Sequence, residues 1–534
     1  MIRRNESYIP GAATMVFLAA AVLLLPWLGE TLFNSKGEPR EAIVAVSMLE
    51  SGNWILPVSY GADIPYKPPF VAWIIAAFAW LFNGGVVNEY ISRLPSALAA
   101  IAMLMAGYSW AERARGPRFA ITFSLVTLTC VEVFRAAVAC RLDMVLTACM
   151  VIAIYMLYDL GERKVKLRWL RYIAVIALLS CATMTKGPVG TLLPCFIIGV
   201  YRLLRRNSFW LTLVKMLAIV VASLIVPALW YYAAYLQGGD GFFDLMMEEN
   251  IGRLTGTMSY DSHVNPWYYN FMTLTAGLLP WTVLLLAALI GVRRRRPISF
   301  SPAALLSLTA AVLTVAFYCI PASKRSVYLL PAYPFVCYGI ATVLSDRESC
   351  AKVTRLFAWF MAVLAVLVPV AVIALQFIEV KGIMLEAIPW WRWIFVILPC
   401  FAGVAWFANR HSPVGHTLSI VWSLYLAYAA AVMPAVLNPN SNKAQAEFID
   451  NLAGDGDILT LGPVRYYTLN FYLNDRVREV ESLEAAAMYP RGTVLIVPNN
   501  ADTTGIHDNF EYKLHIRRGS DYRSPLDIAV KTTN

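Results

Sequence analysis

Three short polar segments sit beside long apolar runs in this chain: GEPREA (37–42), YKPPF (66–70) and SKRSVYLLPAYP (323–334). Charges at such places are costly unless they serve a purpose. The first segment offers two carboxylates and a guanidinium, Glu38, Glu41 and Arg40. The second holds Lys67 before two prolines, which fix an extended entry. The third offers Lys324 as a point charge and Arg325 as a planar fork, with Tyr328 nearby, a set suited to a phosphate. Acid, lysine and arginine together beside apolar runs point to phosphate and sugar chemistry at one face of a membrane.

Each residue also has a plainer reading. Glu38-Pro39 suits a loop entering a helix, where proline is tolerated and an acid favours the helix dipole. A lone lysine at a membrane interface snorkels toward headgroups, and Lys67 fits that too. Asp63 is either a salt-bridge partner for Lys67 or a second carboxylate of a site, and Tyr66 stands next to that lysine. Arg141 and Asp143 flank the start of an apolar run and can simply pair with each other. Arg93, Lys186 before Gly187-Pro188, and Glu248 lie at other run ends. His263 stands near Trp267 and Tyr268 and has no second histidine at metal-ligand spacing, so no metal site is read there.

The elements that must position these residues are membrane helices. The chain has 534 residues, is 59% hydrophobic and has a mean hydropathy of +0.59. Its charged content of 15% compares with roughly 25% in a soluble domain. The net charge of +10 is not a nucleic-acid signal, because the basic excess sits in short loops between apolar runs. The cysteines lie in or beside those runs and show no disulfide or zinc spacing. The first run, 9–28, is longer than a typical signal-peptide core and reads as a retained helix.

Length and hydropathy predict about thirteen spans. They lie near 10–29, 90–111, 118–135, 142–159, 170–185, 187–203, 211–235, 267–290, 302–320, 327–344, 354–377, 390–409 and 416–437. The apolar run 70–82 is left out, because its length suits an interfacial helix. With that choice nearly every basic loop cluster falls on one side, as the positive-inside rule expects. The loops holding Glu38, Lys67, Arg93, Arg141, Asp143, Lys186, Glu248, His263, Lys324 and Arg325 then fall on the other. A random scatter would not do this, and one outer-face active site follows as the expectation.

The chain is thus read as a mostly α, polytopic membrane protein with a small C-terminal α/β domain. Residues 1–438 form the transmembrane part, with interfacial helices in the first outer loop, 30–89, and 439–534 form the outer domain. Within that tail, 457–461 and 493–497 read as buried strands, and 464–473 and 482–488 as helices. It lacks a glycine-rich phosphate loop and is assigned an accessory role.

These motifs resemble the GT-C membrane glycosyltransferases, in particular the protein mannosyltransferase-like family that includes the bacterial lipid A 4-amino-4-deoxy-L-arabinose transferases. The matching segments are GEPREAIVAVSMLESGNWILPV (37–58), YKPPF (66–70), SRLPSALA (92–99), RLDMVLTA (141–148), TKGPVG (185–190), HVNPWYYNF to GLLPW (263–281) and SKRSVYLLPAYP (323–334). The resemblance implies a GT-C-like fold and a polyprenyl-phosphate-linked sugar as donor. It implies a lipid (lipid A-like), glycan or protein acceptor, surrounding membrane lipids, and no nucleic acid. It places the protein in a bacterial inner membrane, with site and C-terminal domain on the periplasmic side. Glu38 would be the catalytic carboxylate, and Lys67, Arg93, Lys186, Lys324 and Arg325 would meet the donor phosphate. Arg40, Glu41, Asp63, Tyr66, Arg141, Asp143, Glu248, His263 and Tyr328 would bind substrate or support the site. No cofactor is required on this reading, and a divalent ion at Glu38 with Asp63 or Asp143 is the open alternative.

Two departures bear on the donor. Gly37 replaces the first acid of the family's Asp-Glu pair, and Tyr66 stands where aminoarabinose transferases tend to have Glu. Both argue against a strict aminoarabinose specificity. The alternative class, a lipid or solute transporter, expects internal repeats and charges in mid-helix. This sequence shows no obvious repeat and carries its charges at loop ends.

Overall fold

The computed structural model describes residues 9–533 apart from 36, 61–63, 66, 253–254, 256–263, 295–300, 347–350, 379–384, 409–412, 463–465, 500 and 517–524. Asp63, Tyr66 and His263 therefore lie outside the described residues. The chain divides into two compact units. The first comprises 1–28, 66–70 and 93–432, and the second 29–65, 71–92 and 433–534.

The first unit is helical. Among the described residues of the chain, nine helices are long and apolar enough to cross a membrane, or ten if one bent pair counts as a span. The expected thirteen are not reached on that measure, and the reasons are local. Helices α1 (Ala12–Leu24) and α9 (Val189–Leu204) are apolar but short. The run 118–135 divides into α5 (Pro117–Leu128) and α6 (Val131–Ala137), bent by 72°. The run 267–290 breaks into Tyr269–Gly277 and Thr282–Arg294. In the second unit, the excluded segment is a 13-residue apolar helix, α3 (Phe70–Phe82), below spanning length.

Helix α7 (Leu142–Glu162) is the spine of the first unit, buried along most of its length and packed on α8 (Arg168–Lys186) and α9. Polar clusters occupy both its ends. At the C-terminal end the buried Asp159 takes Arg113 at 2.7 Å and Arg163 at 2.9 Å. There Glu162 accepts from the Tyr201 hydroxyl at 2.9 Å and pairs with Arg205 at 3.2 Å. At the other end stands Asp143, about 24 Å away by helical rise.

The second unit is built on a five-stranded sheet: β1 (Ile458–Leu461), β2 (Val477–Val480), β3 (Val494–Pro498), β4 (Phe510–Ile516) and β5 (Leu526–Lys531). The order is β2-β1-β3-β5-β4, with β1 parallel to β2 and β3, and β5 antiparallel to β3 and β4. Strands β1 and β3 are buried at every position, which is why they read as continuous apolar runs. Apolar side chains cover both faces, Ile449, Leu469 and Ile528 among those on one and Leu459, Leu495 and Phe510 on the other. The first loop's helix α2 (Pro39–Ser51) belongs to this unit and packs on the helix Tyr467–Tyr472.

Candidate active site

The segment TKGPVG (185–190) shows how sequence aims a charge here. Lys186 is the last residue of α8. Gly187 turns the chain with φ +86°, a value side chains resist. Pro188 then starts α9. Gly190 lets α9 lie against α8, since a Cβ there would come within 2.5 Å of the Ala182 backbone. The hydroxyls of Thr183 and Thr191 lock the hairpin at 2.8 Å. The ammonium of Lys186 is thereby fixed at the mouth of two helices.

It meets Asp143 at 2.5 Å, with the two side chains only 17% and 13% exposed. It also lies 4.1 Å from the centre of the Tyr328 ring, close enough for a cation–π contact. The rings of Tyr318 and Tyr328 pack at 5.6 Å. Lys67 and Arg141 both act electrostatically on the Asp143 carboxylate. Residues from four separated segments, 67, 141–143, 186 and 328, are thus brought together. Three cations thus act on this one carboxylate.

The segment around 323–325 is held by the VNPWYYN stretch, 264–270. Val264 bridges Ser323, the Asn265 side chain donates to the Lys324 carbonyl at 3.1 Å, and Asn270 donates to the Tyr318 carbonyl at 2.7 Å. Lys324 is buried, and its ammonium donates to the carbonyls of Pro321 and Ala322 at 2.7 and 3.4 Å. Arg325 precedes the short 3₁₀ turn Ser326–Ala332 and is half-buried. Arg93 is 1% exposed and donates to the Leu28 carbonyl at 2.7 Å. Glu248 and Glu249 are half-buried in a π-helical turn, Glu248–Gly252.

One cation escaped the sequence reading. Arg135 on α6 pairs with the buried Glu132 at 2.6 Å and donates to the Ser326 hydroxyl at 3.1 Å. The signal available was a Glu and an Arg three residues apart inside an otherwise apolar run.

In the second unit, Glu38 is 8% exposed and stands just before Pro39, the first residue of α2. Arg40 and Glu41 pair at 3.2 Å in the first turn of that helix. Among the described residues no three His, Cys, Asp or Glu side chains gather in a way that could hold a metal ion.

The family model of the dolichyl-phosphate-mannose-protein mannosyltransferases matches residues 66–231, the stretch that contains Lys67, Arg141, Asp143 and Lys186. The chain is 28% identical to the undecaprenyl phosphate-alpha-4-amino-4-deoxy-L-arabinose arabinosyl transferase 2 of Proteus mirabilis over 417 residues, 74% of this chain and 71% of that one. It is 25% identical to the corresponding transferase of Pseudomonas aeruginosa over 436 residues, 79% of this chain and 76% of that one. The chain is similar to these transferases over about three quarters of its length. Its fold agrees. ArnT from Cupriavidus metallidurans, crystallised with undecaprenyl phosphate, superposes with a TM-score of 0.76 at 20% identity, covering 98% of each chain. The archaeal oligosaccharyltransferase AglB from Archaeoglobus fulgidus superposes with a TM-score of 0.52 at 10% identity, covering 93% of this chain and 70% of that one. The resemblance carried by the motifs and the GT-C-like fold it implied both stand, and the chain is an integral membrane protein.

Proposed function

We propose that this protein is a membrane glycosyltransferase that moves a sugar from a polyprenyl monophosphate to a lipid acceptor. The observation that carries the mechanism is the cluster of three cations, Lys67, Arg141 and Lys186, around Asp143. The donor's sugar phosphate diester bears one negative charge. As the anomeric C–O bond breaks, the departing lipid phosphate gains a second. Cations already in place favour that growth over the ground state. Asp143 fixes the ammonium of Lys186 and tempers the site, so that it does not hold the spent lipid phosphate too tightly. Arg93, Lys324 and Arg325 are assigned to the same phosphate in a supporting role. Lys324 and Arg93 hold backbone carbonyls, so they also set the shape of their segments.

Glu38 acts on the acceptor. It takes the hydroxyl proton as the acceptor oxygen attacks the anomeric carbon, and the sugar–phosphate bond breaks on the opposite side. One displacement inverts the anomeric configuration. An acceptor that is already a phosphate has no such proton to lose, and Glu38 then only orients it. Arg40, Glu41, Glu248 and Tyr328, with Asp63, Tyr66 and His263, support substrate binding. A lipid A-like acceptor is the first choice because the motifs resemble those of the lipid A aminoarabinose transferases; glycan and protein acceptors rank below it. The transporter reading is set aside, since these named relatives are transferases.

Purified protein should transfer radiolabelled sugar from a synthetic polyprenyl phosphate to envelope lipid. If none of a panel of aminopentose, hexose and aminohexose donors gives labelled lipid, this reading fails. The positive-inside pattern further supports chemistry on the outer face, which is the periplasmic side for a bacterial inner membrane. A reporter fused after Gly291 should report cytoplasm, and one fused after Asn440 the periplasm. The same side for both would overturn the topology and the outer-face assignment with it.

A further inference from the structure

We infer that Asp475, in the C-terminal α/β domain, is a positioning residue for Glu38, acting through helix α2. This rests on the role proposed above for Glu38. Asp475 lies in the turn between the helix Tyr467–Tyr472 and β2, 428 residues from its main partner. Its Oδ2 accepts from the Ser47 hydroxyl on α2 at 2.6 Å, a length typical of a charge-assisted bond. Its Oδ1 accepts from the Tyr60 backbone N–H at 3.1 Å, where the first loop leaves α2 behind, and from the Asn470 side chain at 2.6 Å. One carboxylate therefore ties the last turns of α2, the loop after it and the domain's own helix. It is also close enough to Glu50, in the last turn of α2, to raise that carboxyl beyond what burial alone does.

The junction is held in left-handed backbone conformations on both sides. Asn474 and Asp475 have φ of 51° and 56°, and Tyr60 has φ of 53°. Asn and Asp tolerate the left-handed region; a tyrosine there is uncommon and needs surroundings that enforce it. Tyr60 is 2% exposed in the domain core, in one cluster with Ile449, Leu469 and Val477, and that burial supplies the enforcement. The other end of the first loop is tied to the same helix: the Phe33 N–H donates to the Tyr472 hydroxyl at 2.9 Å, and that hydroxyl donates to Glu89 at 2.8 Å.

The mechanical consequence follows from helix geometry. Ser47 and Glu38 are nine residues apart, about 13 Å along α2. A 10° tilt of an untied helix would move Glu38 by about 2 Å, and a misplacement near 1 Å can cost about 10²-fold in rate. The domain that reads from sequence as an accessory thus sets the aim of the carboxylate.

The test is a double-mutant cycle in full-length protein, read as single-turnover transfer with saturating donor. Asp475→Ala should lower the rate by tenfold or more, ~10²-fold at most, with donor affinity unchanged. Asp475→Asn should keep most of the rate, because its amide oxygen can still accept from Tyr60 and Asn470 while its NH₂ meets Ser47. Ser47→Ala, which leaves the turn intact and α2 helical, should show a smaller loss of the same kind. In a Glu38→Gln background, Asp475→Ala should cost less than about twofold more, since its effect passes through Glu38. A full multiplicative loss there, or wild-type turnover in both Asp475→Ala and Ser47→Ala, overturns the inference while leaving Glu38 its role. With a hydroxyl acceptor, normal turnover in Glu38→Gln itself overturns both.

Discussion

Replacing Lys186 by Ala is expected to slow sugar transfer by about 10²-fold or more, the loss typical of one preorganised group facing developing charge. The substitution also has a structural effect that must be separated. It leaves the Asp143 carboxylate, 13% exposed, without its partner at 2.5 Å. An abandoned buried charge of this kind costs about 3 kcal/mol, enough to lower thermal stability and mimic a catalytic defect. The double variant Lys186→Ala/Asp143→Asn removes that penalty, since a neutral amide tolerates burial without a cation. Its melting temperature should recover toward wild type while its transfer rate stays low. Recovery of both would mean that the pair only pins α7 to α8, and the donor phosphate would have to be met elsewhere. Lys186→Arg gives a second check. It preserves charge and the contact with the Tyr328 ring, but a guanidinium presents a plane where the ammonium is a point. It should fold normally and transfer more slowly than wild type.

What the sequence disclosed about this site was chemistry; what it withheld was distance. TKGPVG was legible as a charge before a Gly-Pro break between two apolar runs, while the close approach that Gly190 permits was not. YKPPF and RLDMVLTA are legible for the same reason, as charges at the ends of apolar runs. That Lys67, Arg141, Asp143 and Lys186 act on one another depends on how α7, α8 and α9 pack, which no local pattern states. Arg135 was hidden because 118–135 has the length of one span, and the 72° bend at 129–130 has no proline to announce it. In the tail, β1 and β3 are wholly apolar and were visible. Strand β2 carries Arg478 and Glu479 in its centre, and β4 alternates apolar with exposed polar residues at a sheet edge, so both escaped. Asp475 gave no signal at all: a carboxylate in an Asn-Asp turn looks like a solvated loop until Ser47 is placed against it.

Glu38→Gln should reduce transfer by 10²-fold or more while leaving the protein folded in the membrane. The competing role for this residue is a charge at a helix start, which contributes about 0.3–1 kcal/mol to stability. A lost general base raises the barrier by about 2.7 kcal/mol or more, at 1.36 kcal/mol per tenfold. The two readings therefore differ in size and in the quantity they move: one shifts the melting temperature slightly, the other the rate alone. Glutamine keeps the size of the side chain and an oxygen that accepts a hydrogen bond, so it preserves orientation and removes only basicity and charge. With a hydroxyl acceptor, transfer by wild type should fall as pH drops and Glu38 becomes protonated, because a protonated carboxyl cannot take the acceptor's proton. The residual rate of Glu38→Gln should lose that acid limb. With a phosphate acceptor the proton is already gone, and Glu38→Gln should then be nearly as fast as wild type while Glu38→Ala, which cannot orient the acceptor, is slow. Single-turnover rates for the three proteins, on hydroxyl and phosphate acceptors across a pH series, decide the matter. Wild-type rates in both variants on both acceptors would return Glu38 to the status of a helix-end charge.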